Sequence, residues 1–148
     1  METPRVLFVD DESCFRQGLE LSLNSVFGQD RAFTVEFHAH PELALQSIKE
    51  NPFNVFLVFM DHHFREAPDK LTLGADFIKP IKRVNSYIEV VMMSGDTSPE
   101  SLRLWLKNGA DKFIYKELII LLNSINASES VSCIGGDFIK NEHNFFPS

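Results

Sequence analysis

Short apolar runs alternate along this chain with segments of helical spacing, and that alternation leaves few folds open. The run RVLFV at Arg5–Val9 precedes Phe15, Leu19, Leu23, Val26 and Phe27, which recur at helical intervals behind Asp11 or Ser13 as the expected cap. Phe33, Val35 and Phe37 alternate with polar residues, as in a strand near a sheet edge. His40 and Pro41 open a helix that runs through Glu50, since proline is tolerated in a first turn, and Asn51-Pro52 ends it. Phe53–Met60 reads as a strand buried on both faces, Leu73–Val84 as a helix and Ile88–Met93 as the next strand. Ser98 and Pro99 begin another helix, which Gly109 closes; Asp111–Tyr115 is a fifth strand and Glu117–Asn126 a last helix.

Five strands alternating with five helices predict an α/β fold, a parallel sheet with helices on both faces. At 148 residues the chain suits one domain with a substantial core. That domain is expected over residues 1–127. Residues 128–148 are polar and Gly-containing, and read as a tail or linker.

Charge and composition remove several functions. The net charge is −7 and the 14 basic residues are scattered, so no electrostatic surface for nucleic acid is expected. Cys14 and Cys133 lack metal-ligand spacing, as in a reduced cytosolic protein. The longest unbroken apolar stretch, Val55–Met60, is far below a membrane span, and METPRVLFVDD is no signal peptide. A cytoplasmic protein without a membrane or DNA-binding role is the expectation.

Function enters through the residues at which the strands stop. Asp10 and Asp11 follow VLFV, Asp61 follows VFLVFM, Ser94 follows VVMM and Lys116 follows FIY. In a parallel sheet all of them gather at the carboxyl edge, where open α/β sheets place their chemistry. Three carboxylates brought together repel one another and call for a cation. Mg²⁺ fits, because it takes oxygen ligands from one or two carboxylates, water and phosphate. A carboxylate beside it can attack phosphorus to give an aspartyl phosphate, with Ser94 and Lys116 stabilising the charge on the phosphoryl oxygens.

The set DD…D…S…K, with GADKFIYK before the last helix, resembles the receiver domain of two-component response regulators over about residues 4–126. The resemblance implies a flavodoxin-like doubly wound sheet of order 2-1-3-4-5 with five helices. It makes Asp61 the phosphoacceptor, supplied by a histidine kinase or phosphotransfer protein. Asp11, Asp61 and the backbone carbonyl of His63 would bind Mg²⁺ directly and Asp10 through a water. Ser94 and Lys116 would take the family's hydroxyl and lysine places, and Ser94 and Phe113 would be the switch pair that remodels the face of the fourth and fifth helices for an output protein. Such a domain is a regulator that assists its own phosphorylation and dephosphorylation, not an enzyme with a separate substrate.

Departures from the family pattern fall in two loops. The run DHHFREAPDKLTLG lacks the usual Met-Pro, which implies a longer loop after Asp61 if Gly74 opens the next helix. Pro80 falls inside that helix, where it would kink or shorten it. Glu117 replaces the proline that usually follows the lysine, so a trans Lys116–Glu117 bond is expected.

Plainer readings exist for each residue. Asp10-Asp11 could be a helix cap, Ser94-Gly95 a turn, Lys116 a solvated helix start, and His38 and His40 loop residues. Asp61, closing a buried strand, needs a partner in any case. Two alternatives remain for the function: a degenerate receiver acting as an interaction module without phosphorylation, and a DHH-type Mn²⁺-dependent phosphoesterase, suggested by Asp61-His62-His63. His63 could instead position or hinder the hydrolytic water. Leu104, Ile119 and Ile120 lie off the core stripes of their helices, and mark a partner or homodimer surface.

Overall fold

The computed structural model describes residues 2–28, 31–67, 70–95 and 98–117. All of the predicted last helix after Glu117, Ile119 and Ile120 included, and the tail from residue 128 lie outside them.

Strand β1 (Arg5–Val9), helix α1 (Ser13–Phe27), strand β2 (Thr34–His38), helix α2 (Pro41–Glu50) and strand β3 (Val55–Asp61) follow the predicted alternation within a residue or two. A hairpin of β4 (His63–Ala67) and β5 (Lys70–Leu73) comes next, then a 3-10 turn at Gly74–Phe77 and helix α3 (Ile78–Val84). Strand β6 (Glu89–Ser94), helix α4 (Pro99–Lys107) and strand β7 (Lys112–Tyr115) complete the described elements. The main sheet is parallel throughout, in the order β2-β1-β3-β6-β7. With the hairpin set aside, this is the expected 2-1-3-4-5.

Alternation along the strands divides the core in two. Leu7, Val9, Val58, Met60, Val90 and Met92 face α2, α3 and α4, and pack on Ala44, Ile48, Ile78, Ile81 and Trp105. Val6, Phe8 and Met93, with half-buried Leu57 and Phe59, face α1 through Phe15 and Leu19. Phe8 stacks on Phe59, its register partner, at 4.5 Å. Each such buried side chain contributes about 1.5–3 kcal/mol, so the two layers hold the strand ends at a fixed height.

Arg5 ties the other end of the sheet together. Its guanidinium donates to Asn54 Oδ1, Glu36 Oε1, Ser47 Oγ and the carbonyls of Ser47 and Asn51, so it joins β1, β2, α2 and the approach to β3.

Helix starts depend on local hydrogen bonds. Ser98 caps α4 as expected, accepting from the Ser101 amide at 3.3 Å, and Gly109 follows that helix with φ 94°. The His40 ring caps α2, accepting from the Glu42 amide. Neither Asp11 nor Ser13 caps α1. Glu12 occupies that position without a side-chain bond, and the buried Asp10 carboxylate instead accepts from the Glu12 amide at 2.8 Å.

The segment after Asp61 departs most from expectation. Leu73 was expected to open a helix, but LTL alternates with period two, and Leu71 and Leu73 pair with Arg65 and His63 across the antiparallel hairpin. Phe64 anchors the hairpin by inserting into the core. Pro80 is only the third residue of α3, where the first amides have no partner inside the helix, so it needs no kink.

Candidate functional site

Level strand ends create the site. Val9 pairs with Met60, Asp61 with Met93, and Ser94 with Tyr115, so Asp10, Asp61, Ser94 and Lys116 emerge at one edge. The residues that sequence placed together are therefore brought together.

Asp10 is fully buried. Its Oδ1 accepts from Glu12, and Arg16 of α1 donates to its carbonyl at 2.5 Å. Asp61 Oδ1 accepts from the His62 amide at 2.8 Å, which fixes the carboxylate's orientation. Its other oxygen faces Lys116, whose Nζ donates to Asp61 Oδ2 at 3.1 Å and lies 2.8 Å from Asp10 Oδ2. The ammonium also sits over the Phe15 ring, 4.9 Å from its centroid.

One lysine does not balance these charges. Burial raises the Asp61 carboxyl, the charge of Asp10 raises it further, and Lys116 opposes both; the result is about 7 in place of 3.8. Asp10 is likewise raised by burial against the pull of Lys116. Burial acts to lower Lys116, but Asp61 and Asp10 outweigh it and hold the ammonium above its ordinary range.

The residues fit a hard divalent cation. Asp10, Asp11 and Asp61 each offer an oxygen within 4.8 Å of the others. Asp10 Oδ2 is close to Lys116 yet has no well-aligned hydrogen-bond donor, although it is buried. A buried anionic oxygen in that position suits a metal or a metal-bound water. The cluster consists of carboxylates only. His62 is 3% exposed and its Nδ1 accepts from Trp105 Nε1 at 3.0 Å, while His63 is exposed and packs against the His62 ring. The imidazole ligands that a DHH phosphoesterase would need do not join the carboxylates among the described residues.

Ser94 is buried at the end of β6. Beside it, a Cβ on Gly95 would lie 3.3 Å from Glu117 Oε1, so the residue that replaces the family's proline reaches over this loop. No cis peptide occurs among the described residues, and the Lys116–Glu117 bond is trans as expected. Phe113 is 43% exposed, with its ring 6.2 Å from Trp105. Leu104 does not stand out as a surface residue: it is half-buried against the core, and Leu106, 63% exposed, is the outward leucine of α4.

Two features escaped sequence reasoning. Arg16 on the Asp10 carbonyl carries no spacing signal, because its target is a main-chain oxygen. The Trp105–His62 bond joins residues 43 positions apart; only the need of a buried indole N–H for an acceptor hints at a partner.

A parallel five-stranded sheet with three carboxylates, a hydroxyl and a lysine at its carboxyl edge defines a class of phosphoryl-accepting signalling domains. The model of the response regulator receiver domain family matches residues 6–121, and the chain belongs to that family. Its acidic cluster and fold match the phosphoacceptor site of two-component regulators, which are regulatory phosphoacceptors and not enzymes acting on a separate substrate. The chain is similar to the chemotaxis protein CheY4 of Vibrio cholerae, at 25% identity over 78% of this chain and 88% of that one, with a TM-score of 0.60. A two-component response regulator from Clostridium difficile matches at 21% identity over 84% and 93%, with a TM-score of 0.63. A response regulator protein from Burkholderia pseudomallei, solved with a phosphorylated aspartic acid, calcium ion and citrate, matches at 21% over 85% and 69%, with a TM-score of 0.62. Among the described residues no helix is long and apolar enough to cross a membrane.

Proposed function

We propose that Asp61 is the phosphoacceptor of this receiver and that it takes its phosphoryl group from a histidine kinase or phosphotransfer protein in the cytoplasm. The observation that carries this reading is the bridging position of Lys116 Nζ between Asp61 Oδ2 and Asp10 Oδ2. Asp61 Oδ2 is the oxygen directed at the site's fixed cation, while Oδ1 is occupied by the His62 amide. In the transfer, Asp61 Oδ2 forms a bond to phosphorus as the P–N bond of the donor phosphohistidine breaks; the imidazole leaves with the electron pair and is then protonated from solvent. Lys116 stabilises the charge on the transferred oxygens, and the Ser94 hydroxyl donates to one of them.

Asp11, Asp61 and the His63 carbonyl are the proposed direct ligands of Mg²⁺, with Asp10 acting through a water. When bound, the ion neutralises the carboxylates and the incoming phosphoryl group. The phosphorylated aspartic acid and calcium ion in the Burkholderia pseudomallei relative support a divalent cation beside an aspartyl phosphate. Ser94 and Phe113 form the proposed switch pair. The exposed Phe113 ring corresponds to its outward state, and an inward turn rests on packing alone because the residue has no hydroxyl. The output protein, or a second copy of the chain, docks on the outer face of α4, where Leu106 and not the half-buried Leu104 is exposed; Ile119 and Ile120, expected to share that surface, lie outside the described residues.

Incubation with Mg²⁺ and acetyl phosphate, followed by intact mass, tests the reading. Wild type gains one phosphate and Asp61→Asn gains none. Gain in the variant overturns the assignment of Asp61, and no gain in either protein makes the domain an interaction module independent of phosphorylation.

A further inference from the structure

The residue next to the phosphoacceptor is held by an unusual partner. His62 sits between Asp61 and the hairpin, and is fixed at three points. Its amide donates to Asp61 Oδ1, its carbonyl accepts from the Gly74 amide at 2.8 Å, and its Nδ1 accepts from Trp105 Nε1 at 3.0 Å. His62 and Trp105 are 3% and 2% exposed, with their rings edge to face at 5.2 Å. Water does not compete for a hydrogen bond in such surroundings, and either partner left alone would be a buried polar group without its bond.

Trp105 lies on α4, on the opposite face of the sheet from α1. Its ring also approaches Phe113 on β7, at 6.2 Å between centroids. One side chain of α4 therefore touches both the residue beside Asp61 and the aromatic at the proposed switch position. A shift of α4 must either carry the His62 ring with it or break the bond. A rearrangement at Asp61 reaches α4 by the same route, because coupling between two sites is reciprocal.

We propose that Trp105 is a positioning residue for phosphorylation of Asp61, acting through His62, and that this bond couples α4 directly to the state of the phosphoacceptor. The inference rests on the reading of Asp61 as the phosphoacceptor. Trp105 holds the His62 ring, the ring holds the 61–62 peptide, and the peptide amide holds Oδ1 so that Oδ2 stays directed at Lys116. The route runs through the His62 bond, which the one through Ser94 and Phe113 does not use.

The chain has a single tryptophan, so its intrinsic emission reports the surroundings of the Trp105 ring, with the His62 variants isolating the share that depends on the hydrogen bond. The full-length protein is phosphorylated with acetyl phosphate and Mg²⁺, with the rate followed by intact mass, and Trp emission is read in parallel before and after adding beryllofluoride with Mg²⁺. Wild type gains phosphate and its emission changes, while Asp61→Asn does neither. His62→Leu removes the acceptor, and its phosphorylation rate falls about tenfold, equivalent to about 1.4 kcal/mol, with the emission response lost. His62→Asn places an amide oxygen near the former Nδ1, and retains both rate and response within about twofold. Trp105→Phe, which keeps the ring without the donor, shows the same rate loss as His62→Leu and provides the comparison should His62→Leu fail to fold. Phosphorylation at the wild-type rate in His62→Leu or Trp105→Phe, or equal losses in His62→Leu and His62→Asn, overturns the inference and leaves Asp61 as the phosphoacceptor. Absence of phosphate on wild type is the different failure, that of the functional reading itself.

Discussion

Gly74 lies so close to the end of β3 that a Cβ on it would fall 1.9 Å from the carbonyl oxygen of Asp61. It also donates its amide to the His62 carbonyl at 2.8 Å, so the turn into α3 is packed directly on the backbone that carries the phosphoacceptor. The same Cβ would meet Met60 Cγ at 2.8 Å, and backbone cannot yield as the tip of a side chain can.

Gly74→Ala is therefore expected to be among the most damaging single methyl additions in this domain. Relief requires the 3-10 turn or the Asp61 peptide to move, at a cost of about 3 kcal/mol or more. Denaturant unfolding measures the loss. Any folded fraction should also phosphorylate more slowly, because displacement of the Asp61 carbonyl disturbs the carboxylate. Wild-type stability in the variant would contradict the close approach.

The pH dependence of the metal-free protein follows from the raised carboxyl of Asp61. Unfolded, this group loses its proton near pH 4; folded, it keeps it until about pH 7. The native state binds more protons over that interval, so stability from this group is full below about pH 4 and is lost as pH rises to about 7. Asp61→Asn removes that slope and should stabilise the metal-free protein at neutral pH by about 1–3 kcal/mol. Millimolar Mg²⁺ should raise the melting temperature of wild type at pH 8 and have a much smaller effect on the variant. Thermal melts from pH 4 to pH 8, with EDTA or Mg²⁺, provide the check.

How much of this was visible in the sequence depends on the range of each interaction. Sheet order and the gathering of Asp10, Asp61, Ser94 and Lys116 were legible, because a strand pattern and a residue at its end are local facts that parallel pairing converts into geometry. The β4–β5 hairpin was not: KLTL is too short to distinguish a strand from a helix start, and its pairing with HFR was decided by Phe64 entering the core. The α1 cap was misplaced because the carboxylate that serves Glu12 belongs to Asp10, a residue kept in place by burial and not by helix preference. Leu104 was assigned to the surface on helical periodicity, which says nothing about a second layer packing at the flank of α4. The contact of Trp105 with His62 arises only once α4 lies against the end of β3.

Arg5 should be a main determinant of stability far from the phosphorylation site. Its side chain is 12% exposed and pairs with Glu36 at 2.7 Å, and burial alone would raise Glu36, but Arg5, His38 and Ser47 hold that carboxyl below its usual range. Arg5→Ala removes the guanidinium donor from Glu36 Oε1, Ser47 Oγ, Asn54 Oδ1 and two main-chain carbonyls, and should cost about 2–4 kcal/mol. Arg5→Lys should recover only a minor part, since an ammonium cannot reproduce the fork of donors. Wild-type stability in the lysine variant, by urea unfolding, would rule out the fork as the cause. Because Glu36 has a lowered pKa, the contribution of this pair is present above the carboxylate's unfolded value and fades as pH falls through its folded one.

Lys116→Met separates the roles of the two cations proposed at the site. Without Mg²⁺ the lysine is the charge lying against both Asp10 and Asp61, at 2.8 and 3.1 Å. Its removal leaves two buried carboxylates facing each other, and should destabilise the metal-free protein by about 3 kcal/mol at neutral pH. The lysine also competes with Mg²⁺ for the same oxygens, so the variant should bind the ion more tightly, by about tenfold or more, even as it folds less stably. Phosphorylation should nevertheless be slower at saturating Mg²⁺, because the charge that meets the transferred oxygens is gone. Calorimetric titration with Mg²⁺ and phosphorylation monitored by intact mass measure the two effects independently. Weaker Mg²⁺ binding in Lys116→Met would mean that the lysine organises the carboxylates and does not compete for them, and an unchanged phosphorylation rate at saturating Mg²⁺ would remove Lys116 from the transfer step.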